Sequence, residues 1–174
     1  MIKSMKSNIL LVGLDYGYTK SVAIKLSSIF DMHYLDIKDL ISYNLVDERD
    51  VLDKAGVEYY KEQVHKIVLS ACEYENTIIN IPYDLFLKDD FAKQLNKSSV
   101  SIFVNLDKNT IIDNDKQQKE ENKNTLAIIT CDELCLLLSQ NAHLQVDVNN
   151  NIEETVNKIL NLLKNTNISE LKWT

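Results

Sequence analysis

The sequence predicts an α/β protein of three layers, α/β/α, built on a parallel sheet of about five strands. Three observations lead to this prediction. Short apolar runs suited to buried strands alternate with stretches suited to helices. The length, 174 residues, fits one domain that spans residues 1–174. Apolar residues make up 45% of the chain, which is enough for a sizeable core.

The strand candidates are short and apolar. The first, NILLV, ends at Gly13 and has the pattern of a buried parallel strand that enters a turn. A third run, TIINI, is closed by Pro82, which a central strand does not tolerate. The complete set of predicted strands is 8–12, 33–35, 77–81, 100–104 and 144–148.

Helical patterns separate these runs. The clearest is 58–72, whose apolar residues recur on one face. The remaining predicted helices are 21–30, a short one from residue 39, 85–95, 132–139 and 152–164. Residues 107–125 are polar and charged, and they predict a lid-like loop or a solvated helix.

Charge and composition exclude some classes of protein. A net charge of -7 argues against a general binder of nucleic acid or of anionic membranes, because both need surplus lysine and arginine. No apolar run is long enough to span a bilayer, and the amino-terminal apolar stretch is too short for a signal peptide. The predicted location is cytoplasmic.

The cysteines favour a reducing compartment, because their number is odd. Cys131 and Cys135 form a C-x3-C pair on a predicted helix, but no second pair follows it. We therefore expect buried or half-buried thiols, Cys72 included, and no metal site.

The strand–glycine–helix opening is where a phosphate-binding loop of the form GxxxxGK[ST] would lie. Gly13 stands at the first glycine. Tyr18 occupies the position of the motif's second glycine, Thr19 that of its lysine and Lys20 that of its serine or threonine. A one-residue slip would align Lys20 and Ser21 with the lysine and hydroxyl, but the loop would then be too long and still lack a glycine.

Side chains in this loop also conflict with phosphate binding. Such a loop wraps backbone N–H groups around phosphates and needs positive φ angles and room. Tyr16 and Tyr18 are expected to crowd that space, and Asp15 adds a negative charge. The sequence thus predicts a degenerate phosphate loop, consisting of Gly13, Gly17, Thr19, Lys20 and Ser21.

Six segments form a series that covers nearly the whole chain: NILLVG, YLDIKDLI, GVEYYK, TIINIPYD, VSIFVNLD and AHLQVDVNNNIEETVNKILNLL. Together they resemble shikimate kinases, which are P-loop kinases related in fold to nucleoside monophosphate kinases. The resemblance implies a shikimate kinase-like fold and an ancestral ATP- and magnesium-dependent transfer of phosphate to shikimate.

The residues that the resemblance implies for function are mostly altered here. The lysine that holds the phosphates falls on Thr19, and the serine that binds magnesium falls on Lys20. The lid, which would supply an arginine, has none between Asp107 and Thr130. The segment RxPxY of the family falls on apolar residues: Leu134, Leu136 and Leu138.

The resemblance also implies a substrate cleft, which we call vestigial. Its pair of aspartates falls on Asp36 and Lys38, and its carboxylate-binding arginine falls on Lys61. A lysine keeps the charge but loses the planar fork that grips a carboxylate. The glycine-rich loop that lets the backbone approach shikimate falls on three larger residues: Pro82, Tyr83 and Asp84.

These departures predict a catalytically inactive pseudo-kinase with a binding or regulatory role, since phosphoryl transfer depends on positioned cations. No cofactor and no metal are expected, with ATP and magnesium bound only if the family activity survives. The alternative is an active or altered small-molecule kinase of the shikimate kinase type.

Three further interpretations remain open. GLDYGYTKS also resembles the first phosphate loop of actin-like ATPases, although those need a far longer chain. Lys20, Lys38 and Lys61 either converge on a small anion, or they point into solvent or pair with nearby carboxylates, those of Asp15, Asp36 and Asp84. Residues 134–138 are either packed into the core or exposed to a protein partner or a second copy.

Overall fold

The computed structural model describes residues 7–45, 47–88, 90–107 and 124–166, with the side chains of residue 48 and of 124–130 left aside. The chain forms an α/β fold around one parallel sheet. Its strands are β1 (Asn8–Val12), β2 (His33–Asp36), β3 (Thr77–Asn80), β4 (Ser99–Leu106) and β5 (Leu144–Val148). All five strand predictions are confirmed to within two residues at each end.

The strand order is β2-β3-β1-β4-β5, and every pairing is parallel. All residues of β1 and β3 are buried, which explains why these strands are continuous apolar runs and do not alternate. The order places β1 in the middle of the sheet. Its carboxyl end therefore lies between those of β3 and β4.

Helices cover both faces of this sheet. They are α1 (Tyr16–Phe30), α2 (Ile37–Asn44), α3 (Glu48–Ala55), α4 (Val57–Ser70), α5 (Tyr83–Phe86), α6 (Phe91–Ser98), α7 (Asn124–Asn141) and α8 (Ile152–Asn165). A 3-10 turn, Ala71–Glu73, follows α4. One apolar cluster joins the sheet to α1 and α8, and a second joins it to α2, α4 and α6. The predicted three-layer architecture is confirmed.

Several predicted helix bounds were wrong. Helix α1 begins at Tyr16, five residues before the predicted residue 21, because Asp15 caps it. The predicted helix 85–95 is two helices, α5 and α6. Helix α3 was not predicted at all, and α7 extends beyond 132–139 in both directions.

The predicted lid, 107–125, lies almost entirely outside the described residues, of which it contains only Asp107 and the first two residues of α7. Within the described parts of the chain, no helix is both long and apolar enough to cross a membrane.

Candidate functional site

The candidate site lies at the carboxyl edge of the sheet, where β1 leads into α1. Strand β1 ends at Val12 and α1 begins at Tyr16, so only Gly13, Leu14 and Asp15 connect them. This connection is much shorter than the loop that the motif GxxxxGK[ST] supplies before its helix.

Gly13 is required by packing. A Cβ atom on Gly13 would lie 2.7 Å from Cγ2 of Thr19 and 2.8 Å from the carbonyl oxygen of Val104. Gly17 is exposed within α1, and a Cβ there would have only Asp15 Oδ1 nearby, at 3.5 Å. Among the described glycines, only Gly56 has a positive φ. Neither Gly13 nor Gly17 therefore adopts the backbone conformation that a phosphate cradle requires.

Asp15 holds the amino terminus of α1. Its Oδ1 accepts a hydrogen bond of 2.9 Å from the backbone N–H of Tyr18, as an N-cap aspartate does. A helix amino terminus attracts anions because its first N–H groups lack partners inside the helix. In this chain the anion at that place is the protein's own carboxylate.

The hydroxyls of the two tyrosines of this segment bond to different parts of the fold. That their rings crowd a phosphate stays a prediction. The hydroxyl of Tyr18 hydrogen-bonds to the carbonyl of Asn149 (2.9 Å) and to Oγ1 of Thr155 (2.7 Å), which tie α1 to the β5–α8 connection. The hydroxyl of Tyr16 donates to Asp36 at the end of β2. Both rings therefore brace the start of α1.

Thr19 and Ser21 bond within their own helix. The Thr19 side chain is buried, and its hydroxyl donates to the carbonyl of Tyr16 at 3.0 Å. Ser21 is exposed, and its hydroxyl donates to the carbonyl of Gly17 at 3.0 Å.

Asp36 is the centre of a hydrogen-bonded network. Its carboxylate is almost completely buried and caps α2 by accepting from the backbone N–H groups of Lys38 (2.9 Å) and Asp39 (3.2 Å). It also accepts from the hydroxyls of Tyr16 and Tyr34. This carboxylate is therefore saturated with donors.

The pKa values follow from this network. Burial alone would raise the pKa of Asp36, but hydrogen bonds from Tyr16, Tyr34 and its other donors outweigh it and lower that pKa below the ordinary 3.8. Burial raises the pKa of both tyrosine hydroxyls, and their bonds to Asp36 raise it further. Asp36 is thus ionised at neutral pH, and both phenols are neutral.

Lys20 belongs to the same network. Its Nζ lies 3.1 Å from Oδ2 of Asp36 and 3.3 Å from Oδ2 of Asp39, and these bonds raise its pKa. The interpretation that Lys20 pairs with a carboxylate is favoured by this geometry. Lys38 makes a different contact: its Nζ lies 4.2 Å from the centre of the Tyr16 ring, which is a cation–π contact.

Asn80 is a residue of this region that the sequence analysis missed. It ends β3 next to Asp36 in the sheet register and is fully buried. Within the described residues neither polar atom of its side chain has a hydrogen bond of good geometry, although Asn80 is near enough to Tyr34 to affect its pKa. A buried amide in a strand that reads as apolar is the signal that could have marked it.

A cleft of about 320 Å³ opens beside this network, between α2, α4 and α5. Four residues of the predicted vestigial cleft line it: Lys38, Lys61, Pro82 and Asp84. Asp36 and Tyr83 do not line it, since the Asp36 carboxylate caps α2 inside the network and Tyr83 packs against the core. Lys88, which the sequence analysis did not select, lines the cleft as a third lysine.

The apolar string 134–138 on α7 divides between core and surface. Leu138 is fully buried, as the packing interpretation requires. Leu136 and Leu137 are 59% and 45% exposed, so packing does not explain them. A protein partner or self-association stays a prediction.

None of the three cysteines forms a disulfide bond, and each is half-buried. Cys135 donates to Oδ1 of Asn105, and Cys72 to the carbonyl of Gln94. Among the described residues, no group of His, Cys, Asp and Glu side chains has a geometry that could hold a metal ion.

Comparison with known proteins shows the fold. No family model matches this sequence, and none of the curated proteins matches it. Solved structures do match. Shikimate kinase from Bacteroides thetaiotaomicron superposes with a TM-score of 0.75 at 15% identity, over 90% of this chain and 98% of that one.

Two further structures give the same result. Shikimate kinase from Aquifex aeolicus has a TM-score of 0.72 at 16% identity, over 90% of this chain and 96% of that one. Shikimate kinase from Acinetobacter baumannii, in complex with shikimate, has a TM-score of 0.69 at 15% identity, over 95% and 97%.

These matches define a P-loop kinase fold. More particularly, the chain has the shikimate kinase-like form of that fold over nearly the whole length of the matched structures. The resemblance inferred from the sequence is confirmed at the level of fold.

Proposed function

We propose that this shikimate kinase-like protein does not transfer phosphate from ATP and acts by binding. The observation that carries the proposal is the self-capped start of α1, where Asp15 accepts from the N–H of Tyr18. Triphosphate would have to displace this carboxylate from the helix amino terminus, and repulsion between the two anions opposes that exchange.

The short β1–α1 connection supports the same conclusion. With only Gly13, Leu14 and Asp15 between strand and helix, too few N–H groups are available to wrap a phosphate chain. Rebuilding a loop would mean unwinding the first turn of α1. That turn is fixed by Tyr18 on one side and Tyr16 on the other.

The lysine of this segment is also held by carboxylates of the protein and is not directed to a phosphate-binding position. Lys20, the lysine of this segment, is held by Asp36 and Asp39. Thr19 occupies the position at which the resemblance implies the phosphate-binding lysine, and it is buried against Gly13. Phosphoryl transfer relies on cations that neutralise the charge spreading over the transferred group.

The part of the site that would hold the phosphate-accepting hydroxyl lacks a base at the position that the resemblance implies. The resemblance implies an aspartate where Lys38 stands, and a lysine ammonium cannot accept the proton of an attacking hydroxyl. Asp36 is ionised, but its acceptor sites are already filled by donors of the protein.

The test is a coupled assay that follows ADP release with MgATP and shikimate. We expect no turnover above the rate without enzyme. Turnover at a kinase-like rate of about 1–100 s⁻¹ would contradict the proposal and favour an active or altered small-molecule kinase. An active shikimate kinase in the same assay serves as the positive control.

A further inference from the structure

The cleft between α2, α4 and α5 is positively charged in a protein whose net charge is -7. Three lysines line it, against one carboxylate, that of Asp84. They come from three different elements: Lys38 from α2, Lys61 from α4 and Lys88 from the turn after α5. The lining therefore presents more positive than negative charge to a small anion.

The three lysines of the cleft are only partly neutralised by ion pairs with carboxylates. Lys61 forms an ion pair with Glu58 at 3.0 Å, but Glu58 is itself 88% exposed. Lys38 contacts the Tyr16 ring, and among the described residues no carboxylate forms an ion pair with Lys38 or Lys88. Lys20, by contrast, is neutralised by Asp36 and Asp39 outside the cleft.

The walls of the cleft are suited to a small molecule with an apolar or hydroxylated part. Its volume of about 320 Å³ is at the lower end for metabolite pockets. Apolar side chains form part of the wall, and hydroxyl-bearing Ser42 and Tyr60 lie beside them; the apolar ones are Ile41, Val64, Pro82 and Leu85. A larger but more open depression, about 490 Å³, lies along α4. Lys61 lines it as well as the cleft, together with Glu58 and Glu62.

We propose that this cleft binds a small phosphomonoester, whose phosphate is held by Lys38, Lys61 and Lys88. Lysine acts as a point charge that suits a tetrahedral dianion, whereas a flat carboxylate is better gripped by the fork of an arginine. The inference rests on the proposed function only in that the site binds and does not transfer phosphate.

The binding test is isothermal titration calorimetry of the full chain with glycerol 3-phosphate, inorganic phosphate and shikimate at low salt. We expect one glycerol 3-phosphate per chain, weaker inorganic phosphate and much weaker shikimate. Absence of glycerol 3-phosphate binding at millimolar concentration would overturn the proposal. Shikimate binding more tightly than the phosphomonoester would also overturn it.

Variants identify the site. Lys88→Ala and Lys61→Gln should each weaken glycerol 3-phosphate binding about tenfold, which is the loss expected for one charge-assisted contact. The matched control is Lys66→Gln on the same helix, where Lys66 pairs with Glu62 at 2.8 Å outside the cleft. An equal loss in Lys66→Gln would place binding elsewhere and overturn the proposal.

Folding and function are separated by two controls. Urea unfolding of each variant checks its stability, and Lys88→Gln replaces Lys88→Ala if the latter unfolds. Loss of phosphomonoester binding with no ATP turnover would reject the cleft and leave the proposed function intact. ATP turnover together with phosphomonoester binding would contradict the proposed function and leave the proposed binding cleft intact.

Discussion

Gly13 and Gly17 show how differently two glycines of one short segment can behave. Only Gly13 stands at a glycine of the motif GxxxxGK[ST], whose second glycine falls on Tyr18. In this chain Gly13 lies under the first turn of α1 with no room for a Cβ atom, whereas Gly17 faces solvent inside the helix. Their roles are therefore opposite with respect to stability.

Gly13→Ala should destabilise the protein by about 1–3 kcal/mol, because the new methyl group meets Thr19 and the carbonyl of Val104. Gly17→Ala should stabilise it by about 0.5–1 kcal/mol, because alanine favours helix. Urea unfolding measures both. Destabilisation by Gly17→Ala would indicate that a strained loop, and not the first turn of α1, occupies this position.

Asp36 combines a helix cap with a buried network. Asp36→Ala removes the cap of α2 and leaves the hydroxyls of Tyr16 and Tyr34 without their acceptor. We expect a loss of about 2–4 kcal/mol in the free energy of unfolding. The control is Asp47→Ala, which removes only an exposed cap from α3 and should cost about 1 kcal/mol. Equal losses would mean that the network adds nothing.

The contribution of Asp36 should depend on pH. Its folded-state pKa lies below the ordinary 3.8, so the unfolded chain binds more protons between the two values. The stabilisation is therefore complete well above pH 3.8 and is lost as the pH falls through the lowered folded-state pKa. The difference in stability between the wild type and Asp36→Ala should shrink in that range, and a difference constant down to the lowest pH would contradict this.

At the scale of elements, α1 is fixed at its start by contacts to both sides of the sheet. Tyr18→Phe removes the hydroxyl that bonds to Asn149 and to the fully buried Thr155. We expect a loss of about 1–2 kcal/mol. Tyr43→Phe is the control, because Tyr43 is 83% exposed and should change stability little. Indistinguishable effects would show that α1 is not braced through Tyr18.

The sheet could be predicted from the sequence, because buried parallel strands are continuous apolar runs. The start of α1 could not be placed by apolar periodicity, since Tyr16, Gly17 and Lys20 break the pattern. The cap at Asp15 was the available signal. Helix α3 was missed because its residues are mostly charged and, among its described side chains, only Val51 and Leu52 are half-buried.

The candidate site was predictable only in part, because its geometry depends on side-chain directions. The sequence grouped Lys20 with Lys38 and Lys61, but Lys20 turns into the network of Asp36. Lys88 escaped notice because the helix was predicted to run through it, whereas α5 ends at Phe86 and the turn brings Lys88 to the cleft.

At the scale of the whole molecule, two neighbouring regions of the carboxyl edge differ in their capacity for anions. At the start of α1 the protein's own carboxylate, that of Asp15, occupies the helix terminus. Beside it, the lysine-lined cleft concentrates positive charge in an acidic protein. The chain thus has a shikimate kinase-like fold in which Asp15 caps the start of α1 and a lysine-lined cleft opens beside it.

The most direct test of the proposed function is isothermal titration calorimetry with MgATP and MgADP, repeated with shikimate present. We expect no nucleotide binding at millimolar concentration, because Asp15 and the short β1–α1 connection leave no phosphate cradle. Micromolar binding of either nucleotide would contradict the proposal. It would mean that the start of α1 opens into a functional loop and that the protein is a nucleotide sensor or an altered kinase.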